Sequence, residues 1–96
     1  MKAQMFNYNF WINETNPQIL NQLFTMKLEF SGFNVLKKVS HHFKPFGYTS
    51  LILLSESHLA IHTFPEENKS YIEISSCIEA PFNNFIESLK YTDGIH

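Results

Sequence analysis

Ninety-six residues, 44% of them hydrophobic and ten of them Phe, make one folded domain spanning 1–96 rather than a disordered segment. The net charge is −2 and all seven basic residues are Lys, which argues against a nucleic-acid partner. The longest apolar run, Leu51 to Leu54, is far too short to cross a bilayer, so no membrane role is expected. The single cysteine forbids an internal disulfide, and Met1-Lys2-Ala3-Gln4 leads into the chain without a signal-type apolar stretch, so a reducing cytoplasm is expected.

Phe6, Tyr8, Phe10 and Ile12 alternate with Asn7, Asn9 and Trp11, which predicts a first strand with one aromatic face. Thr15-Asn16-Pro17-Gln18 has the form of a capping box with proline in the first turn. Ile19, Leu20, Leu23, Phe24 and Leu28 follow at helical spacing until Ser31-Gly32 supplies a stop, predicting a helix over 16–30. Phe33 to Phe43 reads as a second strand, Lys44-Pro45-Phe46-Gly47 as a turn, and Thr49 to Leu54 as a buried strand. Two further alternating segments surround Leu59-Ile61-Thr63 and Ile72-Ile74-Ser76. Pro81 opens a last helix through Phe82, Phe85, Ile86 and Leu89, ended by Thr92-Asp93-Gly94.

The order β-α-β-β-β-β-α predicts an α+β fold: a two-layer sandwich of a mainly antiparallel sheet with two helices on one face. The other face, expected to carry His62, Phe64, Glu73 and Cys77, must then meet solvent, a ligand or another subunit.

The segment Ser55-Glu56-Ser57-His58-Leu59-Ala60-Ile61-His62-Thr63-Phe64-Pro65-Glu66, with Cys77 twenty positions after Ser57, concentrates the chemistry. A strained Glu56-Ser57 peptide at a strand end would let the serine hydroxyl attack the preceding carbonyl, and the resulting ester can eliminate to leave a pyruvoyl group on residue 57. Such a ketone condenses with an amine and accepts electrons from a breaking carbon–carboxylate bond, and the steps need a base and an acid, for which a histidine and a thiol are suitable. Each residue also has an ordinary reading. Ser57 alone is a turn serine, His62 a half-buried neutral histidine on the opposite strand parity from Ser57, Cys77 a small apolar filler, and Phe43 and Phe64 core aromatics. A zinc site from His41, His42, His58, His62 and Cys77 is disfavoured: His58 and His62 lie roughly 13 Å apart on an extended strand, and no metal-ligand motif is present.

Together these residues resemble the prokaryotic S-adenosylmethionine decarboxylase proenzyme family over roughly Phe33 to Leu89. The resemblance implies cleavage between Glu56 and Ser57 into a 1–56 β chain and a 57–96 α chain. Ser57 would become the pyruvoyl cofactor that forms the Schiff base, with no metal. His62 would be the proton acceptor in processing, Thr49 a supporting hydroxyl, and Cys77 the proton donor in catalysis. Phe43, Leu59, Phe64 and Glu66 would contact S-adenosylmethionine, the two rings holding the adenine and Glu66 the ribose. The family fold implies a homodimer of αβ units in an α/β/β/α arrangement, with active sites built from both subunits and a product used in spermidine synthesis.

Glu73 and Ile78 depart from the family pattern, which usually has Asp and Gly there; isoleucine beside the proton donor would be expected to move Cys77. The chain also ends soon after its last helix, where members usually continue, which would shorten one sheet edge. Two other readings are a pyruvoyl-dependent decarboxylase of another amino acid, such as ornithine or arginine, and a non-processing homologue acting as a binding or regulatory partner.

Overall fold

In the computed structural model, which describes residues 3–96, five strands form one antiparallel sheet. Met1 and Lys2, read above as leading directly into the chain, lie outside the described residues. The strands are β1 (Phe6–Ile12), β2 (Val35–His42), β3 (Tyr48–Leu54), β4 (Ser57–Phe64) and β5 (Lys69–Ser76), in the order β1-β5-β4-β3-β2. β2 to β5 run as a meander. The connection from β1 to β2 therefore crosses the whole sheet, and helix α1 (Pro17–Ser31) provides it. Beyond helix α2 (Glu79–Ser88) and a 3-10 turn (Leu89–Tyr91), the chain returns to the outer edge of β1, where Trp11 and His96 exchange both backbone hydrogen bonds at 2.9 and 2.8 Å.

The helix ends follow local chemistry with two corrections. Asn16, rather than Thr15, caps α1: its Oδ1 accepts from the amides of Gln18 (2.9 Å) and Ile19 (3.1 Å), and Pro17 sits where no donor is needed. Gly32, at φ 108°, ends the helix in the left-handed region, and the Phe33 amide reaches back to the Leu28 carbonyl at 3.0 Å. That closure withholds Phe33 from β2, which is shorter than the expected 33–43. α2 begins at Glu79, before Pro81, because a proline within the first turn removes an amide that has no intrahelical partner.

The core lies between the helices and one sheet face. Leu20, Phe24 and Leu28 of α1 and Phe82 and Phe85 of α2 pack on Phe10, Ile52, Leu59, Ile61, Ile72 and Ile74. The Phe24 ring sits between Phe10 (5.9 Å) and Phe85 (6.3 Å). Ile19, expected on the buried helical face, is about half exposed instead, since it lies one residue, and hence about 100°, round the helix from Leu20.

The opposite sheet face is uncovered. Across β1, β5, β4 and β3 its rows read Asn7-Ser75-His58-Leu53, Asn9-Glu73-Ala60-Leu51 and Trp11-Tyr71-His62-Thr49. Leu51, Leu53 and Val39 of this face are exposed. Both expectations for the layering, helices on one face and a chemical face left open, hold in the structure.

Candidate functional site

Two clusters stand out, at opposite ends of β4. The first is the turn Ser55-Glu56 between β3 and β4, closed by the pair Leu54–Ser57. Glu56 adopts φ 61°, a left-handed conformation that costs a non-glycine residue energy and is held only because its surroundings fix it. The Ser55 amide donates to the Asn34 carbonyl at 3.0 Å, and the Asn34 side chain donates to the Ser55 hydroxyl at 3.2 Å, anchoring the turn.

Pairing of Ser57 with Ser76 sets Cys77, the next residue after β5, against this turn. Both of its donors converge on one atom: the Cys77 thiol lies 2.9 Å and its backbone amide 3.3 Å from the Glu56 carbonyl oxygen. The thiol is also 3.6 Å from a Glu56 carboxylate oxygen. The Ser57 hydroxyl is buried and donates to the Ser76 hydroxyl at 2.7 Å. A carbonyl held by two donors beside a hydroxyl on the adjacent residue is the arrangement an acyl-transfer step requires.

The second cluster surrounds His62, whose Nδ1 is 3.0 Å from the Thr49 hydroxyl across the β3–β4 pair. Its ring stacks on Tyr71 with centroids 6.3 Å apart. Tyr71 in turn donates to Glu73 at 3.2 Å, and partial burial together with the Glu73 charge raises the Tyr71 phenol above its ordinary pKa. Beside His62 a cleft of about 290 Å³ is lined by Phe43, Phe46, Gly47, Thr49, Phe64 and Glu66, among others. The reading of Phe43 and Phe64 as core aromatics fails here, since they are 51% and 36% exposed and both face this cleft.

Leu59, expected among the substrate contacts, is fully buried between the sheet and the helices. Strand alternation turns its side chain away from the face carrying His62 and Phe64. Ser57 and His62 are likewise on opposite parities and about 16 Å apart at the usual strand rise, so one chain does not bring them together. His58 belongs to the open face, and among the described residues no three His, Cys, Asp or Glu side chains converge as a metal site would require.

Ile78 has extended backbone (φ −112°, ψ 113°) open to any residue, and the Cys77 thiol beside it makes a short contact to Glu56. Sequence reading missed Trp11, whose ring lies 5.8 Å from Phe64 and 5.2 Å from Tyr71 with the Lys69 ammonium 4.4 Å over its face. Its odd-numbered parity in β1 was the available signal. Also missed was Ser76, which looked like an ordinary strand serine.

Residues 13–92 match the family model described as S-adenosylmethionine decarboxylase. An S-adenosylmethionine decarboxylase proenzyme 2 of Bacillus cereus is 49% identical over 49 residues, 51% of this chain and 40% of that protein. An S-adenosylmethionine decarboxylase proenzyme of Thermotoga petrophila is 34% identical over 64 residues, 67% of this chain and 49% of that protein. The chain thus spans about half the length of the curated relatives it matches. The crystal structure of the adenosylmethionine decarboxylase from Aquifex aeolicus superposes with a TM-score of 0.71 at 17% identity, covering 100% of this chain and 88% of that one, a likeness of fold. With the family model spanning both helices and all strands but the first, the chain belongs to the S-adenosylmethionine decarboxylase family.

Proposed function

We propose that this chain is a self-processing, pyruvoyl-dependent S-adenosylmethionine decarboxylase. The observation that carries the reading is the Glu56 carbonyl oxygen held by the thiol and the amide of Cys77, next to Ser57 and within a residue of positive φ. In processing, the Ser57 Oγ adds to the Glu56 carbonyl carbon and the developing oxyanion takes both Cys77 hydrogen bonds. The C–N bond then breaks, the amine of residue 57 takes a proton, and residues 56 and 57 are joined by an ester. Removal of the Ser57 Cα proton expels the Glu56 carboxylate, and hydrolysis of the resulting imine releases ammonia and leaves a ketone on residue 57.

The donor set fits such a group. Glu56 contributes the strained carbonyl, Ser57 the oxygen, and Cys77 an acidic hydrogen beside the reacting peptide. Once formed, a pyruvoyl group supplies the electron sink for loss of CO2 from an amino acid. Cys77 stands ready to return a proton to the product, and the half-exposed Phe43 and Phe64 offer faces to an adenine and to a sulfonium cation. Glu66, on the rim of the same cleft, would accept hydrogen bonds from the ribose. The product would be the aminopropyl donor for spermidine, made in the cytoplasm.

The complete site is built from two copies. Thr49–His62 and the Glu56 turn with Cys77 lie at opposite ends of the open face, which also exposes Val39, Leu51 and Leu53, while the Ser57 side chain is buried on the core side of that turn. Two such faces related by a twofold axis crossing β4 near Ala60 would lay the His62 of one copy over the Glu56–Ser57 peptide of the other. His62 is then the base for processing across the interface, with Thr49 fixing its ring.

Intact mass spectrometry of freshly purified protein under denaturing conditions tests the reading. Two fragments, 1–56 and a pyruvoyl-blocked 57–96, are expected, followed by CO2 release from carboxyl-labelled S-adenosylmethionine. A chain that remains whole on long incubation would falsify self-processing. Processed protein that prefers ornithine or arginine would overturn the substrate.

A further inference from the structure

The Ser57 hydroxyl has one hydrogen-bond partner among the described residues, the Ser76 hydroxyl at 2.7 Å, and the environment of Ser76 decides the direction of that bond. Ser76 is fully buried. Its own proton is directed at the Ile78 carbonyl at 3.2 Å, while the Ile78 amide donates to its oxygen at 3.0 Å. A serine hydroxyl has one proton and two lone pairs, so Ser76, with its proton committed to a carbonyl that cannot donate, meets Ser57 as an acceptor. Ile78 is also the residue that caps α2, so the grip on Ser57 is tied to a helix end rather than to a mobile loop.

We infer that Ser76 is a positioning residue for self-processing: it accepts the Ser57 proton in a hydrogen bond, fixes the Ser57 rotamer, and leaves the Oγ lone pairs free for the Glu56 carbonyl. The inference rests on the self-processing reading above and adds a residue to it. His62 is unsuited to this task within one chain, because its ring is on the other sheet face and engaged by Thr49. Ser76 is not itself a base. The proton that finally leaves Ser57 goes to the departing amine of the same residue, so the step balances without a further acceptor. What Ser76 contributes is orientation, and a hydroxyl free to rotate among three staggered wells would spend most of its time pointed elsewhere.

The test follows cleavage of purified, uncleaved chains by intact mass at 25 °C, with folding checked by circular dichroism. Ser76→Ala is expected to slow cleavage at least tenfold, and Ser76→Thr, which restores the acceptor, to recover most of the rate. Ser76→Cys keeps the volume but is a poor acceptor, so it should be slow while folded, and it serves if the alanine variant does not fold. Hydroxylamine separates orientation from a later role, since it cleaves the ester once formed. It should not accelerate Ser76→Ala, where ester formation is the slow step. Folded Ser76→Ala or Ser76→Cys cleaving within twofold of the wild type, or restored to the wild-type rate by hydroxylamine, would overturn the inference and leave self-processing standing. A wild-type chain that never cleaves overturns both.

Discussion

The Cys77 thiol and backbone amide both point at the carbonyl oxygen of Glu56, at 2.9 and 3.3 Å, although the two residues are 21 positions apart. Antiparallel pairing of Ser57 with Ser76 brings them together, and it does so at a residue held in the left-handed region, Glu56 at φ 61°. A thiol expected only to return a proton in catalysis is therefore also a donor to the oxygen that would become anionic in the proposed processing.

Cys77→Ala should thus cleave slowly rather than not at all. Loss of one of two donors to an oxyanion costs about 10²–10³ in rate, while the amide of residue 77 remains. Cys77→Ser, keeping a donor, should cleave faster than the alanine variant. Time courses by intact mass check the order, and equal rates for alanine and wild type would remove the thiol from processing.

Glu56→Gly should relieve the left-handed strain and stabilise the uncleaved chain by about 1 kcal/mol. It should also slow cleavage, because the strain released on leaving the precursor is gone. Glu56→Gln, which keeps the strain and loses only the charge, separates the two effects. Chemical denaturation in a Ser57→Ala background measures the stability, and a glycine variant no more stable than the glutamine one contradicts the account.

Because Ser57 and His62 sit at opposite ends of β4, mixing two inactive variants is informative. Ser57→Ala and His62→Ala chains, each expected to stay whole alone, should on co-refolding give cleavage of the His62→Ala chain. No cleavage in a mixture shown to contain heterodimers would place the base within the same chain.

Tyr48 and Tyr71 should ionise in a fixed order. Burial raises the Tyr48 phenol, but hydrogen bonds with Ser40, Asn21 and Ser50 and the Lys38 charge outweigh it, so its pKa falls below the ordinary value. Tyr71 shifts upward through partial burial and Glu73. A raised folded pKa favours the protonated folded state, so the Tyr71–Glu73 contribution is present below the unfolded tyrosine pKa and lost as pH rises through the folded value. Ultraviolet titration, assigned with Tyr→Phe variants, should find Tyr48 ionising before Tyr71, and Glu73→Gln should lower the Tyr71 step. An unchanged Tyr71 step in that variant would argue against the Glu73 contact.

Thr63 has a buried hydroxyl on the core side of β4 with no partner among the described residues. Thr63→Val, nearly the same shape, should leave stability unchanged or raise it by about 1 kcal/mol, since it removes an unpaired polar group. Thermal unfolding decides, and a clear loss of stability would mean that the hydroxyl has a partner.

By itself the sequence determined the layers. Alternation in β1, β4 and β5 and the helical spacing of Leu20, Phe24 and Leu28 are local signals, and they dictate which face of each element is apolar. A sheet with two helices and one bare face follows from those signals alone, and the reactive segment from Ser55 to Glu66 was legible because its residue types are unusual together. What required the tertiary structure was every relation depending on register. Cys77 on the Glu56 carbonyl, Ser76 on Ser57 and Thr49 on His62 each arise from which residue faces which across a strand pair, and a shift of one residue would exchange the two faces. For the same reason Leu59 proved to be core and Phe43 and Phe64 proved to line a cleft. Hydrophobicity states what a side chain would prefer to bury, whereas strand pairing and the single available helical layer determine which side chains are buried.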